Sequence, residues 1–325
     1  ALTYDFTAEE LYFLQTWNPG SKVLRLYELA GAVGSGVITP LGFPEGPIPW
    51  NHSEGPADFA PQLPGCSAAC EPNCKIQTND SRIQNVIYRD GSLWATQTVF
   101  LDSPTRSSVQ WWEIDPLMGF PYRKQVGLID DPNAGGFFYA FPSLGVNRLG
   151  DVMLGYSAFQ DGEWARAHYS FRYRGDPAGT MRADGLVQDG KACYYKILTG
   201  IRNRWGDYSA TVVDPSGEVK LWTVQEYAET PAGEDKWGTW WGMLDPTRAI
   251  SITDVSVDEG DAGSTAMTFT LTLSAPTPDT VTVKWSTADD SATLADSDYV
   301  GVTNQTATFP PDTVSVDVVV TVNGT

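Results

Sequence analysis

Apolar and polar positions along this chain alternate with period two in short runs, and turn residues separate the runs. The clearest stretch is Arg204-Trp205-Gly206-Asp207-Tyr208-Ser209-Ala210-Thr211-Val212-Val213, where Tyr208, Ala210 and Val212 share one side. Asp214-Pro215-Ser216-Gly217 then reverses the chain, because Pro presets φ and Gly accepts a positive one. Val219, Leu221 and Thr223 alternate on the way back. The same strand–turn–strand unit recurs upstream. It runs over 11–17, Asn18-Pro19-Gly20-Ser21 and 22–29; over 83–88, Arg89-Asp90-Gly91-Ser92 and 93–99; and over 144–147, Arg148-Leu149-Gly150-Asp151 and 152–159. Further strand-like segments follow three of these hairpins, at 110–114, 167–173 and 237–243.

Repeated small antiparallel sheets predict an all-β chain whose first part, residues 1–244, is a β-propeller with at least four blade-like units. A single blade cannot bury both faces, so the abundant aromatic residues are expected to fill the layers between blades. Four units imply a small ring, or further blades before residue 1. Residues 31–76 interrupt the pattern. Pro40, Pro44, Pro47, Pro49, Pro56, Pro61 and Pro64 exclude a regular central strand there, so a long surface excursion is expected. Residues 245–249 read as a linker around Asp245-Pro246. From residue 250 the chain becomes rich in Thr, Ser, Val and Asp. Strands are predicted at 252–257, 267–273, 281–287, 306–309 and 314–322, which is a β-sandwich pattern.

Charge narrows the partners. Lys and Arg number 21 against 40 Asp and Glu, a formal net charge of −19. Such a surface repels phosphate backbones, so nucleic acid is not an expected partner; it suits cations or plain solvation. No run of 18 apolar residues predicts a membrane span. No leader peptide is visible, and Ala1 reads as a processed start or the interior of a longer precursor. Cys66, Cys70 and Cys74 form a C-x3-C-x3-C loop far from Cys193. The even count favours two disulfides, one inside the loop and one to Cys193, with free thiols or a metal as alternatives and the connectivity open. Sequons at Asn51, Asn79, Asn304 and Asn323 fit the loops of an exported protein.

Two stretches resemble known families. Val255-Ser256-Val257-Asp258-Glu259-Gly260, Phe269-Thr270-Leu271-Thr272-Leu273-Ser274, residues 281–293, Asp296-Ser297-Asp298-Tyr299 and Thr308-Phe309-Pro310-Pro311-Asp312-Thr313 follow one another as in a Calx-β domain. Residues 250–325 are therefore similar to this immunoglobulin-like module of sodium–calcium exchangers and bacterial surface proteins. The resemblance implies Ca2+ binding through Glu259 and Asp289, with Asp258 and Asp290 beside them. Two departures weaken that implication: the family's D-G-T-A turn reads Asp289-Asp290-Ser291-Ala292, and the family's later acidic segment and last strands are not found before Thr325. Two or three carboxylates do not fill a calcium shell, and the other reading is a solvated acidic loop. An unfinished sandwich would mean a longer chain or a strand donated by another one.

The first part, through Arg204-Trp205-Gly206-Asp207-Tyr208-Ser209-Ala210, residues 85–94 and Trp237-Gly238-Thr239-Trp240, resembles secreted bacterial sialidase-like, Asp-box propellers. Residues 214–222 and 90–94 match the S-x-D-x-G-x-x-W box only loosely. The resemblance implies an arginine cluster for a substrate carboxylate, a Tyr nucleophile activated by Glu, and an acid. Arg82, Arg204, Asp207, Glu226 and Tyr227 are the candidates, each with a plainer role in ion pairing or packing. No G-x-S-x-G elbow or P-loop occurs, and His52 and His168 are too far apart in sequence to argue for a triad. The sequence therefore points first to a non-enzymatic part of an exported bacterial surface protein. Its propeller would be a recognition or adhesion platform, with Trp237, Trp240 and Trp241 as anchors for a glycan, a protein or a second copy. The Calx-β module would be a calcium-responsive or passive stalk. The alternatives are a sialidase-like glycoside hydrolase and a subunit of an extracellular filament or surface layer.

Overall fold

The computed structural model describes residues 2–4, 9–53, 55, 59–63, 74–102, 105–120, 122–197 and 202–324. All regular elements among them are strands, so the chain is all-β. Two compact units emerge, Ala1–Arg172 with Asp176–Asp245, and Tyr173–Gly175 with Pro246–Thr325.

In the first unit β1 (Leu2–Thr3) precedes a hairpin of β2 (Leu11–Asn18) and β3 (Val23–Ala30), with β4 (Val37–Gly42) beside β3. Pro40 lies in β4 opposite Tyr27; at a sheet edge its missing amide hydrogen breaks no ladder. After the short β5 (Ile76–Gln77), a meander forms from β6 (Ile83–Arg89), β7 (Ser92–Asp102), β8 (Thr105–Ile114) and β9 (Arg123–Ile129), with β1 parallel to β6. A second meander comprises β10 (Phe138–Val146), β11 (Val152–Phe159), β12 (Arg166–Arg172) and β13 (Gly185–Gln188). Next come β14 (Tyr194–Tyr195) and β15 (Asn203–Arg204). The last sheet joins β16 (Ala210–Val213), β17 (Leu221–Ala228) and β19 (Trp237–Leu244), while β18 (Gly233–Glu234) pairs with β14 and β15 pairs with β5.

All four expected hairpins form. The β6–β7 turn shows why locally: Asp90 and Gly91 both have positive φ, at 51° and 73°, the geometry that matches the twist of a two-residue hairpin. The third hairpin begins at Phe138, earlier than the pattern indicated, and Tyr208 lies outside a strand and is 75% exposed. The described residues between 31 and 76 are less superficial than expected. Trp50, Phe59 and Ala60 are buried, Asn51 bridges to Phe100, and the Gln62 amide bonds the carbonyls of Cys74 and Tyr194.

The sheets pack face to face in chain order. Tyr12, Leu24 and Leu26 of the first cover Leu93, Ala95 and Trp112 of the second. The other face of the second sheet, with Ile87, Trp94 and Trp111, packs on Leu144, Leu154 and Tyr156 of the third. Met153 packs on Val213 and Leu221 of the fourth. Strand alternation makes this possible, because successive side chains serve opposite layers. Polar clips fix the stacking. The Asn85 side chain donates to the Leu144 carbonyl (3.1 Å) and accepts from the Leu144 amide (3.2 Å). Gly155 lies so close to the fourth sheet that a Cβ would meet Thr223 Oγ1 at 2.1 Å and Gln225 Nε2 at 2.2 Å.

The second unit contains β20 (Ile250–Ile252), β21 (Ser264–Leu273), β22 (Val281–Trp285), β23 (Gln305–Phe309) and β24 (Ser315–Asn323). They form a β20-β21-β24 sheet and a β22-β23 sheet, packed through Leu271, Leu273, Ala307, Phe309 and Val318. The first strand spans 250–252, not the expected 252–257.

Candidate functional site

Along β17, Leu221, Thr223 and Gln225 are buried, so Trp222, Val224 and Glu226 face the other side. The Gly206 backbone lies against Glu226: a Cβ there would sit 2.6 Å from Glu226 Oε2. Burial first, then the negative charges of Asp235 and Asp207, push the Glu226 carboxyl up to about 8, while Lys196 opposes the shift. At neutral pH this side chain is mainly a carboxylic acid.

Its surroundings hold three more of the candidates. The parallel β5–β15 pairing sets residues 76–77 beside 203–204, which brings Asn79 to Asp207. Asp207 Oδ1 accepts from Arg204 Nη2 (2.5 Å) and from Asn79 Nδ2 (3.1 Å). Arg82 Nε donates to Asp80 Oδ1 at 2.7 Å. Burial alone would raise the Asp80 carboxyl, but the hydrogen bonds and charge of Arg82 hold it below the usual range. Asp207 acts electrostatically on both Arg82 and Glu226. Arg82, Arg204, Asp207 and Glu226 therefore share one neighbourhood, yet each arginine already has a carboxylate of its own.

Tyr227 does not join them. It follows Glu226 on a strand, so it faces the opposite side, where it is buried. Its hydroxyl donates to Glu229, and Lys191 Nζ donates to both, at 3.3 Å to the phenol and 2.9 Å to the carboxylate. Hydrogen bonds from Tyr227 first and then Lys191 hold Glu229 down to about 2, and the Glu229 carboxylate raises the phenol. A carboxylate that acidic is a poor base for activating the phenol.

The same sheet carries the aromatic candidates. Trp237, Trp240 and Trp241 on the edge strand β19 are 49%, 47% and 63% exposed. Val212, Val224 and Met243 are exposed too, and Trp222 stacks obliquely on Trp241 with ring centroids 5.3 Å apart. The indole Nε1 of Trp222 donates to Asp214 Oδ2 at 2.9 Å, so the turn carboxylate anchors the patch.

In the second unit Asp289 Oδ1 accepts from Tyr299 Oη (2.6 Å) and the Leu294 amide (2.9 Å), and these bonds lower its pKa. Asp258, Glu259, Asp289 and Asp290 do not converge: among the described residues no three His, Cys, Asp or Glu side chains gather around a common point. Cys74 and Cys193 are disulfide-bonded, and Cys66 and Cys70 lie outside the described residues. Among the described residues no helix is long and apolar enough to cross a membrane.

Sequence reasoning missed Lys196 and Asp235, which no local pattern singles out, and marked Asn79 only as a sequon, not as a partner of Asp207. It also missed the exposed Asp184, which accepts from the hydroxyl of the buried Tyr156 (2.6 Å) and pairs with Nδ1 of the buried His168 (2.7 Å).

Comparison with protein-family models gives no match, and comparison with curated proteins gives none either. Among solved structures, an α-L-arabinofuranosidase from Fusarium graminearum in complex with an iminosugar inhibitor is similar over 73% of this chain and 72% of that chain. The identity is 8% and the TM-score 0.32, a likeness that carries no argument.

Proposed function

We propose that the first unit is an open stack of propeller-type blades that works as a non-enzymatic recognition platform of an exported protein, and that it binds glycans through the aromatic edge of its last sheet. The exposed Trp237 and Trp241, which share one face of β19 with Met243 and lie across from Trp222 and Val224, carry this reading; Trp240 faces the other side of the sheet. Contiguous exposed apolar surface marks interaction sites, and flat indoles offer stacking faces at low entropic cost. Asp214 and Thr239 lie on or beside the same sheet as hydroxyl-bonding groups. The net charge of −19 favours neutral or cationic polysaccharides over acidic ones. The second unit serves as a stalk of Calx-β type.

Titration of the chain with soluble neutral and cationic polysaccharides, read by tryptophan fluorescence, tests this. Trp241→Ala should weaken binding at least about tenfold, the loss expected of a hot-spot aromatic. Unchanged affinity in Trp237→Ala and Trp241→Ala variants would refute the assignment.

A glycoside hydrolase is the second reading, favoured by the raised Glu226 carboxyl beside the Asp207 carboxylate. Aryl-glycoside turnover abolished by Glu226→Gln would support it, and absence of turnover by the unaltered chain would remove it.

A further inference from the structure

Two hairpin tips of the first unit carry no charged side chain. One joins β8 to β9 and reads Pro116-Leu117-Met118-Gly119-Phe120-Pro121; the other joins β3 to β4 and reads Gly31-Ala32-Val33-Gly34-Ser35-Gly36. Leu117, Met118 and Phe120 are 79%, 51% and 72% exposed, and Val33 is fully exposed. Both tips lie at the same end of the unit. Tyr12, opposite Glu28, has its ring 5.2 Å from that of Tyr88; Tyr88 is opposite Leu93, and Leu93 is opposite Ile114. At the other end of these strands Thr16, opposite Leu24, donates to Gln97, which is opposite Gln110. β3 and β8 therefore run the same way, one into Gly31 and the other towards Pro116.

Hydrogen bonds define the β8–β9 tip. The Asp115 amide donates to the Tyr122 carbonyl (2.8 Å) and closes it. The Tyr122 amide donates to the Gly119 carbonyl (2.6 Å), and Gly119 takes a φ of 79°, which glycine adopts without strain. The Tyr122 hydroxyl ties the base of the tip to the Leu41 carbonyl at 2.6 Å. Pro116 and Pro121 have no amide hydrogen. Of the other four amides, that of Leu117 donates to Asp115 Oδ1 (2.9 Å) and that of Met118 to the Asp115 carbonyl (3.4 Å). The outermost residues thus present hydrocarbon and thioether, with half of their amide donors already bonded. The cations that follow are engaged: Arg123 Nη1 donates to the Glu45 carbonyl at 2.7 Å, and Lys124 Nζ to Ser92 Oγ at 2.8 Å.

We propose that this end of the first unit rests on a lipid surface, with Leu117, Met118 and Phe120 inserted among the headgroups and Val33 as a second point of contact. Shape and chemistry single out the occupant. The side chains project from a turn, so they suit a medium that closes around them. A protein partner is fixed by polar groups at the rim of its contact, and the six residues of the β8–β9 tip have no polar side chain. A bilayer interface asks only for apolar side chains and for backbone donors that are already bonded. Charge selects the lipid. A chain of net charge −19 repels anionic headgroups and neither tip carries a cation, so the surface is zwitterionic. Three side chains give a reversible association, of the marginal kind that a single myristoyl chain supports.

The test uses the full 325-residue chain. The probe is sucrose-loaded vesicles of phosphatidylcholine at millimolar lipid, in physiological salt with chelator, read by co-sedimentation. The chain should partition onto these vesicles, and less onto vesicles of equal parts phosphatidylcholine and phosphatidylglycerol. Phe120→Ala should weaken partitioning about tenfold or more, the transfer expected of one large aromatic side chain, and Phe120→Trp should retain it. Leu117→Asp combined with Phe120→Asp should abolish it. Both positions are exposed, so the urea midpoint of each variant should equal that of the parent, which separates lost contact from lost fold. Trp241→Ala should leave partitioning unchanged. No partitioning of the unaltered chain would overturn the proposal. Equal partitioning of the double variant would do so too, as would stronger binding to the anionic vesicles, since either would mean a contact made elsewhere on the chain. A loss with Trp241→Ala would overturn it in favour of the indole face. Self-association that the double variant removes, without partitioning, would overturn it in favour of a second copy.

Discussion

Replacing Glu226 with Gln isolates the clearest electrostatic feature of the first unit. The carboxyl is held at about 8 against an ordinary 4.5, first by burial and then by the charges of Asp235 and Asp207. At ~1.4 kcal/mol for each tenfold change in proton affinity, that displacement sets a ceiling of ~5 kcal/mol; relaxation around a half-buried group should leave ~2–4. The sign follows from proton counting. Between about pH 4.5 and pH 8 the folded chain keeps a proton that the unfolded chain has released. This group's contribution is fully present below that window, declines as pH rises through it, and is gone above it. Gln keeps the shape without the proton, so Glu226→Gln should match the parent near pH 4 and exceed it by ~2–4 kcal/mol at pH 9. Urea denaturation from pH 4 to 9, followed by tryptophan fluorescence, reads this out. Trp285 apart, every Trp of the chain lies before residue 246, so the signal reports the first unit. The difference between the two curves cancels the titrating groups that do not interact with Glu226. A flat difference from pH 5 to 8 would refute the reasoning. So would a parent that gains on the variant as pH rises, because that would mean Lys196 stabilises the carboxylate more than burial penalises it.

Other consequences are open to the same measurement. Gly155→Ala should destabilise the first unit by ~2–3 kcal/mol through overpacking, since its Cβ would collide with Thr223 and Gln225 where Thr211 and Thr223 share a 2.8 Å hydrogen bond. Asn85→Ala should cost ~1–3 kcal/mol in urea unfolding, as it leaves the Leu144 amide and carbonyl without their partner across the sheets. Millimolar calcium should move the melting temperature of the second unit by less than about 1 °C, because the Asp289 carboxylate is bonded to Tyr299 and Leu294. A larger rise would mean that the acidic loop rearranges to hold the ion.

The hairpins around Gly20, Gly91, Gly150 and Gly217 were legible in the sequence, and so was most of the sandwich, because alternation and turn chemistry act over a few residues. Asp90-Gly91 specifies its own turn whatever packs upon it. The core role of Trp50, Phe59 and Ala60 was hidden by the prolines around them, which describe the backbone and not the burial. The candidate site was legible only in part. Arg82, Arg204, Asp207 and Glu226 stood out as residue types, but their proximity depends on the pairing of β5 with β15 across more than a hundred residues. Tyr227 adjoins Glu226 in sequence and is separated from it by the two-residue strand period. The sequence alone determined the strand content, the turns, the acidic balance and the change of composition near residue 245. Tertiary structure decided which faces meet and which carboxyl keeps its proton. Those properties depend on partners distant in the chain and on the water their contact excludes, and neither is encoded in a local pattern.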